Sequence, residues 1–108
     1  MNPVEIIWTE SALNDLNIII EFISQSSTSL AEQVAYKILF RVNQLHKFPE
    51  SGQIEPLLKN LKHQYRYLVV GHSKIIYRQD NSRIFIERIM DTRQNPIKLR
   101  VKNAKKKK

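Results

Sequence analysis

The chain has 108 residues, 42% of them hydrophobic, with two glycines and four prolines, which bounds it to one domain with a real core and little room for long linkers. It contains no cysteine, which excludes disulfide scaffolds, cysteine zinc sites and thiol nucleophiles. Its net charge of +8 is divided unevenly, with three cations against seven acids in residues 1–57 and fifteen against three in residues 58–108. The C-terminal half therefore calls for an anionic partner, either nucleic acid or an acidic protein segment.

Val4 to Trp8 is short, β-branched and aromatic, and Thr9 after it is a good helix N-cap, so a first strand runs into a helix start. Ala12, Leu13, Leu16, Ile19, Ile20 and Ile23 recur at three- and four-residue steps, the apolar stripe of an α-helix. Glu10 and Asp15 lie in its first turns, near the positive end of the helix dipole. The polar run Ser24 to Ser29 is a turn, and its last three residues are candidate N-caps for a second helix. That helix carries Leu30, Ala31, Val34, Ala35, Ile38, Val42 and Leu45 on one face and stops near Phe48-Pro49, because proline disfavours helical geometry in the residue before it. The two helices form an antiparallel hairpin whose stripes must lie on something else. Pro49 to Lys62 reads as a connecting loop with a helical turn around Leu57 to Leu61.

Three strands follow, His63 to Val70, Lys74 to Gln79 and Arg83 to Met90, separated by turns at Gly71-His72-Ser73 and Asp80-Asn81-Ser82. The alternation of the last is imperfect, since Ile84 and Ile86 share one parity while Phe85 and Ile89 share the other. A β-bulge or apolar cover on both faces accounts for this. The expected fold is α+β, in the order β-α-α-β-β-β, with the N-terminal helical hairpin packed on one face of a mainly antiparallel twisted sheet. It occupies residues 1–100 as a single domain, and residues 101–108 form a disordered lysine-rich tail. Met1 to Trp8 lacks a signal-peptide pattern and no apolar run approaches the ~18 residues of a membrane helix, so a cytoplasmic protein without a membrane partner is expected.

The two-residue side-chain period groups Arg66, Leu68 and Val70 on one face of the second strand and Lys74, Ile76 and Arg78 on one face of the third. Arg66, Lys74 and Arg78 are therefore expected to rim the open part of the sheet, with Arg83, Arg88, Arg93, Lys98 and Arg100 extending the basic surface. Tyr65, Tyr67 and Tyr77 are interleaved with them, as strand packing or as stacking groups for bases. His46, His63 and His72 are scattered without ligand spacing, and Gly52 and Gly71 stand alone, so neither a metal nor a phosphate-loop cofactor is expected. Any cleavage would be of RNA without a metal, with cations on the developing charge.

The strand followed by Thr9-Glu10-Ser11-Ala12-Leu13-Asn14-Asp15-Leu16, the helix end Leu45-His46-Lys47-Phe48-Pro49-Glu50-Ser51-Gly52, the runs Tyr65 to Val70 and Lys74 to Arg78, and the terminal Ile89 to Pro96 resemble the RelE/ParE toxins of bacterial type II toxin–antitoxin systems. The resemblance spans about residues 4 to 97. It implies growth arrest, a part in plasmid stabilisation, and a cognate antitoxin whose acidic segment wraps the toxin, with an oligomer assembled through that antitoxin. It leaves two targets open. A ParE-like toxin would act on DNA gyrase, and the Phe-Pro-x-x-Gly loop and long helices favour that side. A RelE-like toxin would be a ribosome-dependent mRNA endonuclease with Arg66, Lys74 and Arg93 as the catalytic cations. Asp91 stands where a strand-end histidine is common and no tyrosine follows Arg93, and both departures point away from the nuclease. The target- and antitoxin-binding set implied is Arg66, Lys74, Arg78, Arg83, Arg88 and Arg93. A non-toxic basic interaction domain of the same fold is the third reading.

Overall fold

The structure is a computed structural model and describes residues 4–58 and 62–93. Strand β1 (Glu5–Trp8) leads directly into helix α1 (Glu10–Ser24) through Thr9, whose extended backbone and side chain make the N-cap: its Oγ1 accepts from the Ala12 N–H at 3.1 Å. The same hydroxyl donates to the Ile86 carbonyl at 2.8 Å, so one residue starts the helix and ties it to the sheet. Ser27 caps helix α2 (Thr28–Asn43) in the same way through the Leu30 N–H, and a 3-10 turn, Gln44–His46, tightens its end.

The hairpin lies across one face of a five-stranded sheet of order β1-β5-β4-β3-β2. Its members are β2 (Gln53–Ile54), β3 (Tyr65–Val70), β4 (Ser73–Asp80) and β5 (Arg83–Asp91), all antiparallel, with β1 added parallel to β5. The α+β architecture expected from the sequence is therefore present, with one more strand. β2 lies in the segment read as pure loop, because two residues are too short for a period-two signal. A 3-10 turn at Pro56–Leu58 follows it, and the rest of the expected Leu57 to Leu61 turn lies outside the described residues. The lysine-rich tail, with Lys98 and Arg100, also lies outside them.

The core sits between hairpin and sheet, where Ala12 and Leu16 of α1 and Ile38 and Val42 of α2 meet Leu68, Ile75, Tyr77, Ile84, Ile86 and Ile89. Each of these leucine, isoleucine and valine side chains contributes roughly 1.5–3 kcal/mol on burial. Leu13 and Leu30, expected on these stripes, are half exposed. Each is one residue from a buried alanine, and one step along a helix turns a side chain by about 100°. A second, smaller cluster of Leu58, Tyr65 and Ile76, with Tyr67 against it, covers part of the opposite face.

A bulge resolves the broken alternation of the last strand. Tyr77 pairs with Ile86 but Ile76 pairs with Arg88, which leaves Glu87 as the extra residue on β5. Ile84 and Ile86 before it and Ile89 after it thereby reach the same core. The β3–β4 link is a two-residue turn in which Gly71 takes φ +59°, and Asn81 supplies the positive φ, +58°, of the β4–β5 turn.

Candidate functional site

Register separates the cations that the sequence pattern grouped. Arg66 pairs with Tyr77 and Leu68 with Ile75, all on the helix-bearing face, whereas Tyr65 pairs with Arg78 and Tyr67 with Ile76, on the opposite one. Arg66 therefore does not share a rim with Lys74 and Arg78. The expectation failed because parity within each strand does not say how the parities of two strands align across a turn.

Nearly every candidate cation holds a carboxylate of the chain itself. Lys74 Nζ lies 2.7 Å from Glu55 Oε2, and the Glu55 carboxylate is fully buried. The same ammonium sits 4.4 Å from the centre of the Tyr67 ring. Arg78 Nε donates to Glu87 Oε2 at 2.7 Å, its Nη1 lies 3.8 Å from Asp80, and its guanidinium stacks 4.3 Å from the Phe85 ring. Glu87, the extra residue of the bulge, shares the parity of Phe85 and so faces this arginine. Arg83 lies 5.4 Å from the centre of the same ring.

Arg88 goes to the hairpin. Its Nε and Nη2 donate to the two oxygens of Asp15 at 2.7 and 3.1 Å, and Asp15 Oδ2 also accepts the Ile89 N–H at 2.9 Å. β1 has ended by then, at Trp8 opposite Ile86, so the helix carboxylate takes over where the parallel ladder stops. Hydrogen bonding to Asp15 raises the Arg88 pKa. Arg93 closes on Asp91 two residues earlier, with Nε at 2.9 Å and Nη2 at 2.6 Å. That contact, with the Arg93 backbone N–H, holds the Asp91 carboxyl down at about 2.

Arg66 belongs to a latch on the loop after α2. It donates to the Gly52 carbonyl at 2.8 Å and lies 3.7 Å from Glu50. Next to it the buried Tyr77 hydroxyl donates to the Pro49 carbonyl and accepts the Gly52 N–H, each at 2.9 Å. Burial raises the Tyr77 pKa, so the phenol stays a donor. Gly52 fits only as glycine: a Cβ there would stand 2.6 Å from the Tyr77 hydroxyl.

Among the described residues no three His, Cys, Asp or Glu side chains gather as metal ligands. Sequence reasoning missed Glu55, Asp15 and the Tyr77 latch. Only the first left a signal, as the one acid between Glu50 and Asp80.

A second feature lies at the other edge of the sheet. Ile6 and Trp8 of β1 and Tyr36, Leu39, Phe40 and His46 of α2 and its end line an open groove of about 510 Å³. Tyr36 and Phe40 stack at 6.2 Å and are 68% and 57% exposed. An exposed apolar groove of this kind is a candidate interaction surface.

A sequence profile described as the ParE toxin of type II toxin–antitoxin systems, parDE, matches residues 6–96. Among solved structures, a chain of the chromosomal ParDE toxin–antitoxin system from P. aeruginosa superposes with a TM-score of 0.67 at 21% identity, covering 82% of this chain and 95% of that one. No curated protein matches the sequence significantly.

Proposed function

The chain belongs to the ParE toxin family of type II toxin–antitoxin systems, and we propose that it arrests growth by poisoning DNA gyrase in the cytoplasm, held inactive by a cognate antitoxin. The observation that carries the choice of target is the engagement of the cations. A metal-free ribonuclease needs unencumbered cations converging on one phosphate. Here Lys74, Arg78, Arg88 and Arg93 are each within 2.7 Å of a carboxylate oxygen, and Arg66 lies on the opposite sheet face from Lys74. This arrangement favours a protein target over RNA chemistry.

The test is induction without antitoxin, with purified gyrase assayed in parallel. Inhibited supercoiling and a DNA-damage response are expected. Unimpaired supercoiling with codon-positioned mRNA cuts would transfer the chain to the ribonuclease reading, and harmless expression of folded protein would leave only a basic interaction domain.

A further inference from the structure

The loop after α2 gathers two arginines unlike the clamped cations of the strands. Arg41 lies in the last turn of α2, and its Nη1 and Nη2 donate to Gln44 Oε1 and Ser51 Oγ, each at 3.3 Å. Both acceptors are neutral, and among the described residues Arg41 forms no ion pair with a carboxylate. Arg66 reaches the same loop from β3, where its Nη1 donates to the Gly52 carbonyl at 2.8 Å and to the Glu50 carbonyl at 3.4 Å. The Glu50 carboxylate stands off at 3.7 Å, and its side chain is 74% exposed against 23% for the arginine. The two guanidinium groups thus close on three consecutive residues, Glu50, Ser51 and Gly52. Tyr77 fixes that loop through its hydroxyl, where burial raises the pKa and the charges of Arg66 and Arg41 both oppose the rise. Two like charges held on one short loop, with a single loosely placed carboxylate, attract an anion.

We infer that Arg41, Arg66 and the Ser51 hydroxyl form a binding site for a phosphate group. The site lies on the helix-bearing side of the sheet, across it from Lys74 and Arg78, so it is not the convergence of strand cations that RNA cleavage would need. Two guanidinium forks match a group with more than one charge and more than two acceptor oxygens, which a phosphate supplies and a carboxylate does not. The Ser51 oxygen accepts from Arg41, which leaves its own proton to donate to the bound group. No acid occurs between Glu32 and Glu50, so α2 brings no carboxylate of its own to compete from the stretch that carries Arg41. Glu50 is the competitor, and its exposure lets an arriving anion displace it. A small phosphate ester and a nucleic-acid backbone present the same group. The choice of DNA, which a gyrase poison meets at its target, rests on the toxin reading; the site itself does not.

The experiment follows the arginine Nε–H signals of the full chain by NMR, first with inorganic phosphate and then with a short DNA duplex. Phosphate at millimolar concentration is expected to shift the Arg41 and Arg66 signals saturably and to leave those of Arg78 and Arg88 in place. Arg41→Gln and Arg66→Gln should each weaken phosphate binding at least fivefold, since each removes charge-assisted hydrogen bonds. Glu50→Gln takes away the competing carboxylate and should strengthen it at least twofold, while Arg83→Gln should leave it within twofold. Glu50→Gln keeps the test decisive if Arg66→Gln loosens the loop, because a merely structural arginine predicts no gain. A duplex that shifts the same two signals and competes with phosphate for them supports the site and assigns the group to a DNA backbone. Phosphate binding that the duplex leaves untouched supports the site and assigns it to a small phosphate. Absence of a saturable shift at Arg41 and Arg66, or a Glu50→Gln variant that binds no tighter, would overturn the inference. Growth arrest on induction is scored separately, so a harmless protein that still binds phosphate here would sink the toxin reading alone.

Discussion

Lys74→Ala should destabilise the fold before it touches any target. The substitution removes the ammonium from Glu55, a residue 1% exposed, and leaves its carboxylate buried with, among the described residues, the Leu57 N–H at 3.3 Å as its remaining hydrogen bond. Breaking a buried pair from one side costs about 3–5 kcal/mol. The Lys74 side chain is itself 19% exposed, which puts the expectation at the low end. A loss of about 3 kcal/mol lowers the melting midpoint of a domain this size by roughly 12–24 °C. Urea unfolding of four proteins measures it: the parent, Lys74→Ala, Glu55→Leu/Lys74→Met and Arg83→Ala. The double variant replaces both charges by apolar groups and should recover most of the loss. Arg83→Ala, on an exposed side chain, should stay within about 0.5 kcal/mol of the parent. If Lys74→Ala lies within about 1 kcal/mol of the parent, or the double variant is no better than the single one, Lys74 is not a structural cation and the reasoning above is wrong. The result also decides how toxicity data are read, since only a folded double variant that has lost activity would implicate the charge itself.

The loop latch gives two linked expectations. Tyr77→Phe leaves the Gly52 N–H and the Pro49 carbonyl unpartnered and should cost about 2–3 kcal/mol by chemical denaturation. Gly52→Ala drives a Cβ to 2.6 Å from the Tyr77 hydroxyl and 2.7 Å from the Tyr67 carbonyl, for a loss of about 1–3 kcal/mol or more; combined with Tyr77→Phe it should cost less than the two added, because one clashing atom is gone. Thr9→Val removes the N-cap and the link to Ile86 and should cost about 1–2 kcal/mol, read from the thermal midpoint. The Asp91 carboxyl should titrate near 2 by carbon-detected NMR and return toward 3.8 in Arg93→Ala. Because its folded pKa is the lower one, the stability it adds is present above pH 4 and fades as pH falls toward 2; a parent midpoint near 3.8 would refute the pairing.

Much of the fold was legible because its signals are local. Thr9 before an apolar stripe, Ser27 after a polar run, and glycine or asparagine where a hairpin turns each dictate their geometry without reference to the rest of the chain. The bulge was half legible: the parity change between Ile86 and Ile89 required either an extra residue or two covered faces, and only the pairing of Ile76 with Arg88 chose. The site was much less legible, since it depends on which residues meet across long separations. Asp15 looked like a helix-dipole carboxylate and is a clamp on Arg88 73 residues away. Arg66 and Lys74 have the parity of a common face within their own strands, yet the turn at Gly71-His72 sets them on opposite sides. β2 and the place of β1 as the outer strand among the described residues have no sequence signature, because a two-residue strand is too short for a period and an edge is defined only by what is not beside it.

The uneven charge of the chain gains a different meaning once the halves are folded together. Of the acids that meet the candidate cations, Asp15, Glu50 and Glu55 come from the acidic N-terminal half and Asp80, Glu87 and Asp91 from the basic one. Part of the asymmetry is therefore spent inside the molecule, as clamps between hairpin, loop and sheet, and the basic strands are a poorer phosphate surface than their composition suggests. Among the described residues Lys37 and Lys47, near the groove beside β1, form no such pair, and residues 94–108, outside the described ones, contain seven further cations. Long-range attraction for an acidic partner then has its source outside the strands that looked most basic. Charge outside those strands would set how fast such a partner arrives.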